Sequence, residues 1–285
     1  MVQAHGGYYV PHGSHWPIIG SVGLFLFMLG FASLLNGGGA FWMYAGGAVV
    51  IYMVFGWFST VVRESESGTY NDQVDLSFRW GMGWFIFSEV MFFACFFGAL
   101  FYVREYSVPW LGGESRFITH DLLWPGYDAV WPTNGPGEIG GEFKPMGAWG
   151  LPALNTLILL TSGVTVTWAH HALKENNRKH LIWGLAATVG LGALFVILQA
   201  IEYSHAMHDY NLTLQSGVYG STFYMLTGFH GFHVTLGAVI LAVVLLRAMR
   251  GHFTPEKHFA FEAAAWYWHF VDVVWLGLFV FVYWL

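Results

Sequence analysis

The closing hydrophobic segment of this 285-residue chain contains three ionisable residues, Glu262, His269 and Asp272. A charge at bilayer depth costs about 2.5–3.5 kcal/mol on insertion scales, so such residues usually face a partner, water or the protein interior. Steps of three and four residues return to one helix face, which places them on a stripe with Trp266. A histidine one turn from a carboxylate could transfer a proton. The rest of the chain favours the alternative, a polar stripe for helix packing and subunit contact.

A fourth intramembrane acid, Glu89, lies in an apolar run ten residues after Arg79. At 1.5 Å rise per residue, that separation is about 15 Å, which places Glu89 near the bilayer midplane. Two interpretations stay open. Glu89 is either a proton-related or lipid-facing carboxyl, or a structural acid that is neutral and hydrogen-bonded between helices. The second needs no further role and is preferred from the residues alone.

His230 and His233 share a helix face, and paired intramembrane histidines suggest a haem or a metal ion. The alternative is hydrogen bonding to neighbouring helices or to lipid headgroups. No clear third ligand occurs at metal-binding spacing, and the single cysteine, Cys95, excludes a CxxC motif or a paired-thiolate copper site. We therefore predict that this chain contains no metal ligands.

The composition identifies the class of protein. The chain is 56% hydrophobic and 10% charged, whereas soluble domains carry about 25% charged residues. Its 26 Phe, 15 Trp and 14 Tyr fit aromatic belts at membrane interfaces. The formal net charge of −6 is spread through loops, and no basic cluster indicates a nucleic-acid partner.

Seven apolar runs of about 20 residues predict an all-α membrane protein with seven transmembrane helices. The predicted spans are 16–36, 40–62, 80–104, 148–173, 181–205, 217–247 and 259–284. A tail (1–15) precedes a two-helix unit (16–62), and a polar linker (63–79) leads to a five-helix unit (80–285). The loop 106–145 is too long for a simple connector, so we expect it to cover a membrane face or contact a partner.

The distribution of Lys and Arg predicts the orientation, because cytoplasmic loops carry an excess of both. Eight of the eleven lie on one side and three on the other. We therefore expect the N-terminus inside and the C-terminus outside. The inner side also has groups suited to lipid phosphates, although the charge bias alone explains much of the pattern. They are Trp57, Arg63 and Glu64 at the end of the second span, and Arg247, Arg250 and His252 at the end of the sixth.

Five stretches together resemble subunit III of haem–copper cytochrome c oxidases. They are the run 79–97 with Ser88-Glu89-Val90, the run 154–171, the runs 218–223 and 227–234, the run 261–275, and Val62-Arg63-Glu64. They occur in family order over nearly the whole chain, and in combination they are highly specific.

The resemblance implies that the first two helices splay from the other five and leave a V-shaped cleft for phospholipids. It makes lipid-headgroup candidates of Trp57, Arg63, Glu64, His233, Arg247, Arg250 and His252. Glu89 corresponds to the family's buried carboxyl on the third helix. Haem and copper belong to partner subunits, so we expect no cofactor here except bound phospholipid.

The implied function is a non-redox subunit of a proton-pumping enzyme that oxidises cytochrome c and reduces oxygen to water. Its partners would be subunit I, as the main contact, and subunit II. Its expected roles are stabilising the catalytic subunit, holding lipids, supporting proton uptake and shaping oxygen access. The long loop favours a bacterial inner membrane, with the mitochondrial inner membrane for a eukaryotic chain. The alternatives are the equivalent subunit of a quinol oxidase and, less favoured, a proton-coupled secondary transporter.

Overall fold

The computed structural model describes residues 9–10, 13–114 and 117–285, and these ranges form helices without strands. In chain order the helices are α1 (Trp16–Leu35), α2 (Phe41–Glu66), α3 (Asp72–Tyr102), α4 (Val108–Leu111), α5 (Phe117–Leu123), α6 (Leu151–Lys174), α7 (Arg178–His208), α8 (Gly217–Arg250) and α9 (Phe259–Leu278). Short π-helical segments, Val103–Ser107 and Phe279–Trp284, extend α3 and α9. Seven segments in these ranges are long and apolar enough to cross a membrane. The prediction of an all-α protein with seven spans is confirmed.

The region between the second and third spans is more helical than the sequence suggests. α2 continues to Glu66 and α3 begins at Asp72, so helix covers most of the predicted linker 63–79. Gly68, at φ +72°, follows the end of α2, and the Asn71 side chain accepts a hydrogen bond from the Val74 amide at 3.0 Å. Hydropathy detects only the apolar part of a helix, whereas capping extends the helix into polar sequence.

Internal contacts divide the described residues into two compact units, one ending at Trp80 and the other beginning at Gly81. In the first unit α1 and α2 form a closely packed hairpin. The short distance between the α1 and α2 backbones depends on small residues. A Cβ on Gly30 would overlap the backbone of Met43, and a Cβ on Gly46 would overlap the backbone of Phe27. Small residues at helix contacts are common where no water-driven force holds helices together. The splayed cleft and the sidedness of the termini stay predictions.

In the second unit α6, α7, α8 and α9 form a bundle in which α6 contacts both α7 and α9, and α8 contacts both α7 and α9. α3 packs on this bundle through large rings. Phe93 lies 5.1 Å from the ring of His233, and Phe85 stacks on Tyr267, with centroids 6.2 Å apart. A helix held by long side chains leaves room between backbones for polar groups. Glu89 occupies such a position.

The part of the long loop at residues 140–143 packs against the start of α8 and against the connection between α7 and α8. Phe143 stacks on Tyr219 with ring centroids 5.4 Å apart. The Asn211 amide donates to the carbonyls of Gly140 and Glu142, at 3.2 and 2.9 Å. This part of the loop is therefore tied to the second unit, and coverage of a membrane face or contact with a partner stays a prediction.

A pair of neighbouring glycines tests the close packing of α1 on α2. We expect Gly46→Ala to destabilise the hairpin by about 1–3 kcal/mol through overpacking. Gly47→Ala is the matched control, because its Cβ would make only ordinary contact with the Phe27 ring, at 3.6 Å. Both changes alter intrinsic helix propensity equally, so their difference isolates the clash. The measurement is the rate of proteolysis at the connecting turn, and equal rates for the two variants would contradict the packing argument.

Candidate functional site

A contact between two ionisable side chains joins α3 to α8 in the second unit. Glu89 Oε2 lies 2.9 Å from His233 Nε2. The Glu89 side chain is 21% exposed and the His233 side chain 10%. The structure thus brings together two residues that the sequence predicted for separate roles, one as a buried carboxyl and the other as a lipid-headgroup candidate.

The second nitrogen of His233 determines what this contact can do. His233 Nδ1 lies 2.6 Å from the Phe229 carbonyl oxygen, which only accepts hydrogen bonds, so Nδ1 carries a hydrogen. Nε2 then either accepts a proton from neutral Glu89 or, as part of an imidazolium, donates one to the carboxylate. One proton lies between the two side chains in both states, and the pair has no net charge. Transfer of that proton between Glu89 and His233 would leave the total charge of the pair unchanged.

Aromatic rings enclose the pair. The rings of Phe92, Phe93, Tyr267 and Phe270 lie within 6.5 Å of the His233 ring, and the Tyr267 hydroxyl donates to the His233 carbonyl at 3.4 Å. Low-polarity surroundings strengthen a satisfied hydrogen bond and raise the cost of an unsatisfied one. The site therefore favours the two states in which Glu89 and His233 share a proton.

His230 points away from this pair. Its Nε2 donates to the Val271 carbonyl on α9 at 3.2 Å, and its ring packs against Phe195 and Trp275. His230 and His233 thus bond to different helices and do not converge on one centre. This geometry agrees with the interpretation of interhelical hydrogen bonds.

The four residues of the polar stripe on α9 do not share one environment. His269 Nε2 lies 3.2 Å from the Thr167 hydroxyl on α6, and His269 Nδ1 lies 3.7 Å from Asp272 Oδ2. Trp266 is 38% exposed, whereas Glu262 lies near His170 and His258. An open groove of about 600 Å³ runs beside Thr167, His269 and Asp272. The role of the stripe in subunit contact stays a prediction.

Several interhelical bonds involve partners that spacing does not indicate. On α9, Trp268 and Trp275 donate to the hydroxyls of Ser162 and Thr156 on α6, at 2.8 and 2.9 Å. The Tyr283 hydroxyl donates to Glu202 Oε1 at 2.6 Å. A tryptophan in an apolar run resembles any other apolar residue in a hydropathy profile, so no local signal marks these donors. Such bonds hold helices together in a membrane.

Among the first group of lipid candidates, Glu64 is bonded to two tyrosines. It accepts from the Tyr9 hydroxyl at 3.1 Å and from the Tyr70 hydroxyl at 2.8 Å. Burial raises the pKa of Tyr70, and the hydrogen bond to Glu64 raises that pKa further. Arg63 donates to the Ser59 carbonyl at 3.3 Å, and Trp57 is 52% exposed. Both side chains are accessible to a headgroup.

The second group lies at the end of α8. The Arg247 guanidinium stands 4.8 Å from the centre of the Phe253 ring, Arg250 is exposed, and His252 is partly exposed. Arg178 donates to the Met249 carbonyl, one of the last in α8. Lipid binding at either group stays a prediction.

Comparison with known proteins matches the sequence to a family. The family model described as cytochrome c oxidase subunit III matches residues 6–285. Proteins named cytochrome c oxidase subunit 3 are similar to this chain in the dugong Dugong dugon, at 41% identity, and the shark Squalus acanthias, at 42%. Each alignment covers 99% of this chain and 98% of the relative.

The helices and the intramembrane polar contacts define an integral membrane protein with seven spans. The chain belongs to the cytochrome c oxidase subunit III family, so the resemblance found in the sequence is confirmed. As a member of that family it is a subunit of an oxidase complex.

Two substitutions at Glu89 distinguish the possible states of the pair. A carboxamide can donate to His233 Nε2 as a neutral carboxylic acid does, but it cannot replace a carboxylate in an ion pair. Separated charges are costly in apolar surroundings, so we expect Glu89→Gln to keep near-native stability. Glu89→Ala leaves a buried nitrogen unsatisfied and should cost about 1–3 kcal/mol.

The measurement is the thermal unfolding of the purified complex containing each variant. Equal destabilisation by the two substitutions would show that the pair needs the carboxylate, and hence that it is ionic.

Proposed function

We propose that this chain is a subunit without a redox centre in a proton-pumping oxidase that oxidises cytochrome c and reduces oxygen to water. Its roles are to stabilise catalytic subunit I, hold structural phospholipids, sustain proton uptake and shape oxygen access. Subunit II is the second partner, and the bacterial inner membrane is the proposed location. Family membership supports the complex as a whole.

The observation that carries the supporting role is the contact between Glu89 and His233. An acid and a base that share one proton in an apolar site can hold that proton without creating net charge. The carboxyl side chain is 21% exposed, so Glu89 is partly open to the surroundings of the bundle. This is the arrangement expected of a group that assists proton uptake without binding oxygen or a redox centre.

Contact with subunit I is supported by the exposed polar groups of α9. The His269 side chain is 46% exposed within a membrane-spanning helix, where contact with lipid tails would be unfavourable. The groove beside it is formed by α6 and α9. A helix of the catalytic subunit in this groove would remove His269 from lipid and give its ring a polar neighbour.

Removing the chain from the complex tests the supporting role. We expect the haem absorbance per complex to remain, proton uptake to slow, and the number of turnovers before inactivation to fall. Visible spectra and proton-uptake kinetics of the two purified forms provide the measurement. Loss of haem absorbance with an unchanged turnover lifetime would overturn the proposal.

Lipid binding at the end of α8 has its own test. Each basic residue near a membrane surface contributes about 1 kcal/mol to anionic lipid binding, or about fivefold in affinity. We expect Arg250→Gln to reduce the phospholipid retained during detergent washing. Arg104→Gln, on the predicted outer side, is the control, and mass spectrometry of the washed complex measures the lipid. Equal retention in the two variants would contradict the assignment.

A further inference from the structure

Three ligand-type side chains converge where α6 ends and α9 begins. His170 lies one turn before the end of α6, His258 directly precedes α9, and Glu262 is in the first turn of α9. Their ligand atoms all lie within 4.8 Å of one another.

The distances fit a small, tightly coordinated cation. Glu262 Oε1 lies 3.3 Å from His258 Nε2 and 3.6 Å from His170 Nε2. With metal–ligand bonds of about 2.0–2.2 Å, neighbouring ligand atoms of a tetrahedral site lie about 3.3–3.6 Å apart. Two edges of such a tetrahedron are therefore already near their final length, and small side-chain rotations would bring the two nitrogens into place.

Each of the two imidazoles has a nitrogen that a metal ion could use. His258 Nδ1 donates to the Thr254 carbonyl at 3.1 Å, which leaves the lone pair of neutral His258 on Nε2. Such a backbone partner for the other nitrogen is the usual support of a metal-binding histidine. Within the described part of the chain, His258 Nε2 and His170 Nε2 are buried and make no hydrogen bond. Two buried, unsatisfied nitrogens facing one carboxylate need an explanation.

Burial makes the arrangement more specific than a surface cluster. The exposed fractions of the three side chains are 8% for His258, 13% for Glu262 and 21% for His170. The fully buried ring of Phe261 lies 5.3 Å from the His170 ring. Phe261 thus gives the cluster a buried apolar neighbour.

We propose that His170, His258 and Glu262 bind a divalent transition-metal ion, with Zn²⁺ as the best match. Two imidazoles and one carboxylate suit zinc and its neighbours, whereas Ca²⁺ and Mg²⁺ require oxygen ligands. Water fills the fourth position. The ion links the end of α6 to the start of α9, so its role is structural.

The carboxylate and the two neutral imidazoles bring one negative charge to the ion, and the exposed Lys174 lies one turn beyond His170. The ion therefore does not neutralise a large acidic cluster. Its affinity comes from coordination by nitrogen, which also predicts that Zn²⁺ will bind in preference to Mg²⁺ or Ca²⁺.

The test uses the purified oxidase complex, treated with a chelator and then given Zn²⁺. Variants His170→Gln, His258→Gln and Glu262→Gln each remove one ligand, and His171→Gln is the matched control beside His170. Loss of an outer hydrogen-bonding partner alone costs about 10–100-fold in affinity. We therefore expect each ligand variant to bind zinc at this site more than about 100-fold more weakly, with His171→Gln unchanged.

Elemental analysis by mass spectrometry gives the zinc content of each variant. Wild-type and His171→Gln complexes should retain about one more zinc ion than the ligand variants. Partner subunits with their own metals contribute equally to all samples, so the difference isolates this site. Equal zinc content throughout would overturn the proposal.

A second measurement needs no variant and thus does not depend on how the variants fold. Anomalous diffraction from the zinc-treated wild-type complex should show a peak between His170, His258 and Glu262. Zinc should also raise the thermal midpoint of the wild-type and His171→Gln complexes. A zinc-treated complex without a peak at these residues would refute the site.

Discussion

A polar group inside a membrane-spanning helix needs a hydrogen-bonding partner on another helix. This constraint determines how the helices of the second unit are arranged. Glu89 contacts His233, and Glu202 accepts a hydrogen bond from Tyr283. Trp268 donates a hydrogen bond to Ser162. Each contact joins two segments, and an unsatisfied partner at such depth would cost more than it does near water. Packing alone would tolerate small rotations of the helices, whereas these bonds specify one rotation for each helix. The polar contacts therefore determine which faces of the helices meet.

Side-chain size determines how closely the helices approach. Gly30 and Gly46 let α1 and α2 meet at backbone distance, so that hairpin can be held by dispersion forces over a broad contact. α3 instead stands on the bundle through phenylalanines, including Phe92 and Phe93. The wider spacing accommodates a carboxyl and an imidazole side by side. The α1–α2 pair therefore shows close backbone packing, whereas the α3–α8 pair provides room for the Glu89–His233 contact.

The sequence was sufficient to predict the seven spans, and it marks Glu89 as a candidate, because both depend on local properties. Twenty apolar residues in a row indicate a span wherever they occur, and an acid within one is conspicuous. The partner of Glu89 was not predictable, because His233 lies on another span and nothing in its own helix indicates α3. Helix extends into the polar linker 63–79 for a related reason: capping by Asn71 and a salt bridge from Arg79 to Asp75 carry α3 into polar sequence. A hydropathy profile predicts neither long-range contacts nor the polar ends of helices.

His233 and His258 show how one backbone bond can lead to two kinds of chemistry. In both, Nδ1 donates to the carbonyl of the residue four positions earlier, which directs Nε2 outward as the reactive nitrogen. At His233 a single carboxyl lies 2.9 Å away, close enough to share a proton and satisfy both groups. At His258 the carboxylate lies 3.3 Å away, and the His170 ring is 5.4 Å away between ring centres. One proton cannot satisfy all three of those groups, whereas a cation at their centre can. The number of groups facing Nε2, rather than the histidine itself, decides between a proton and a metal ion.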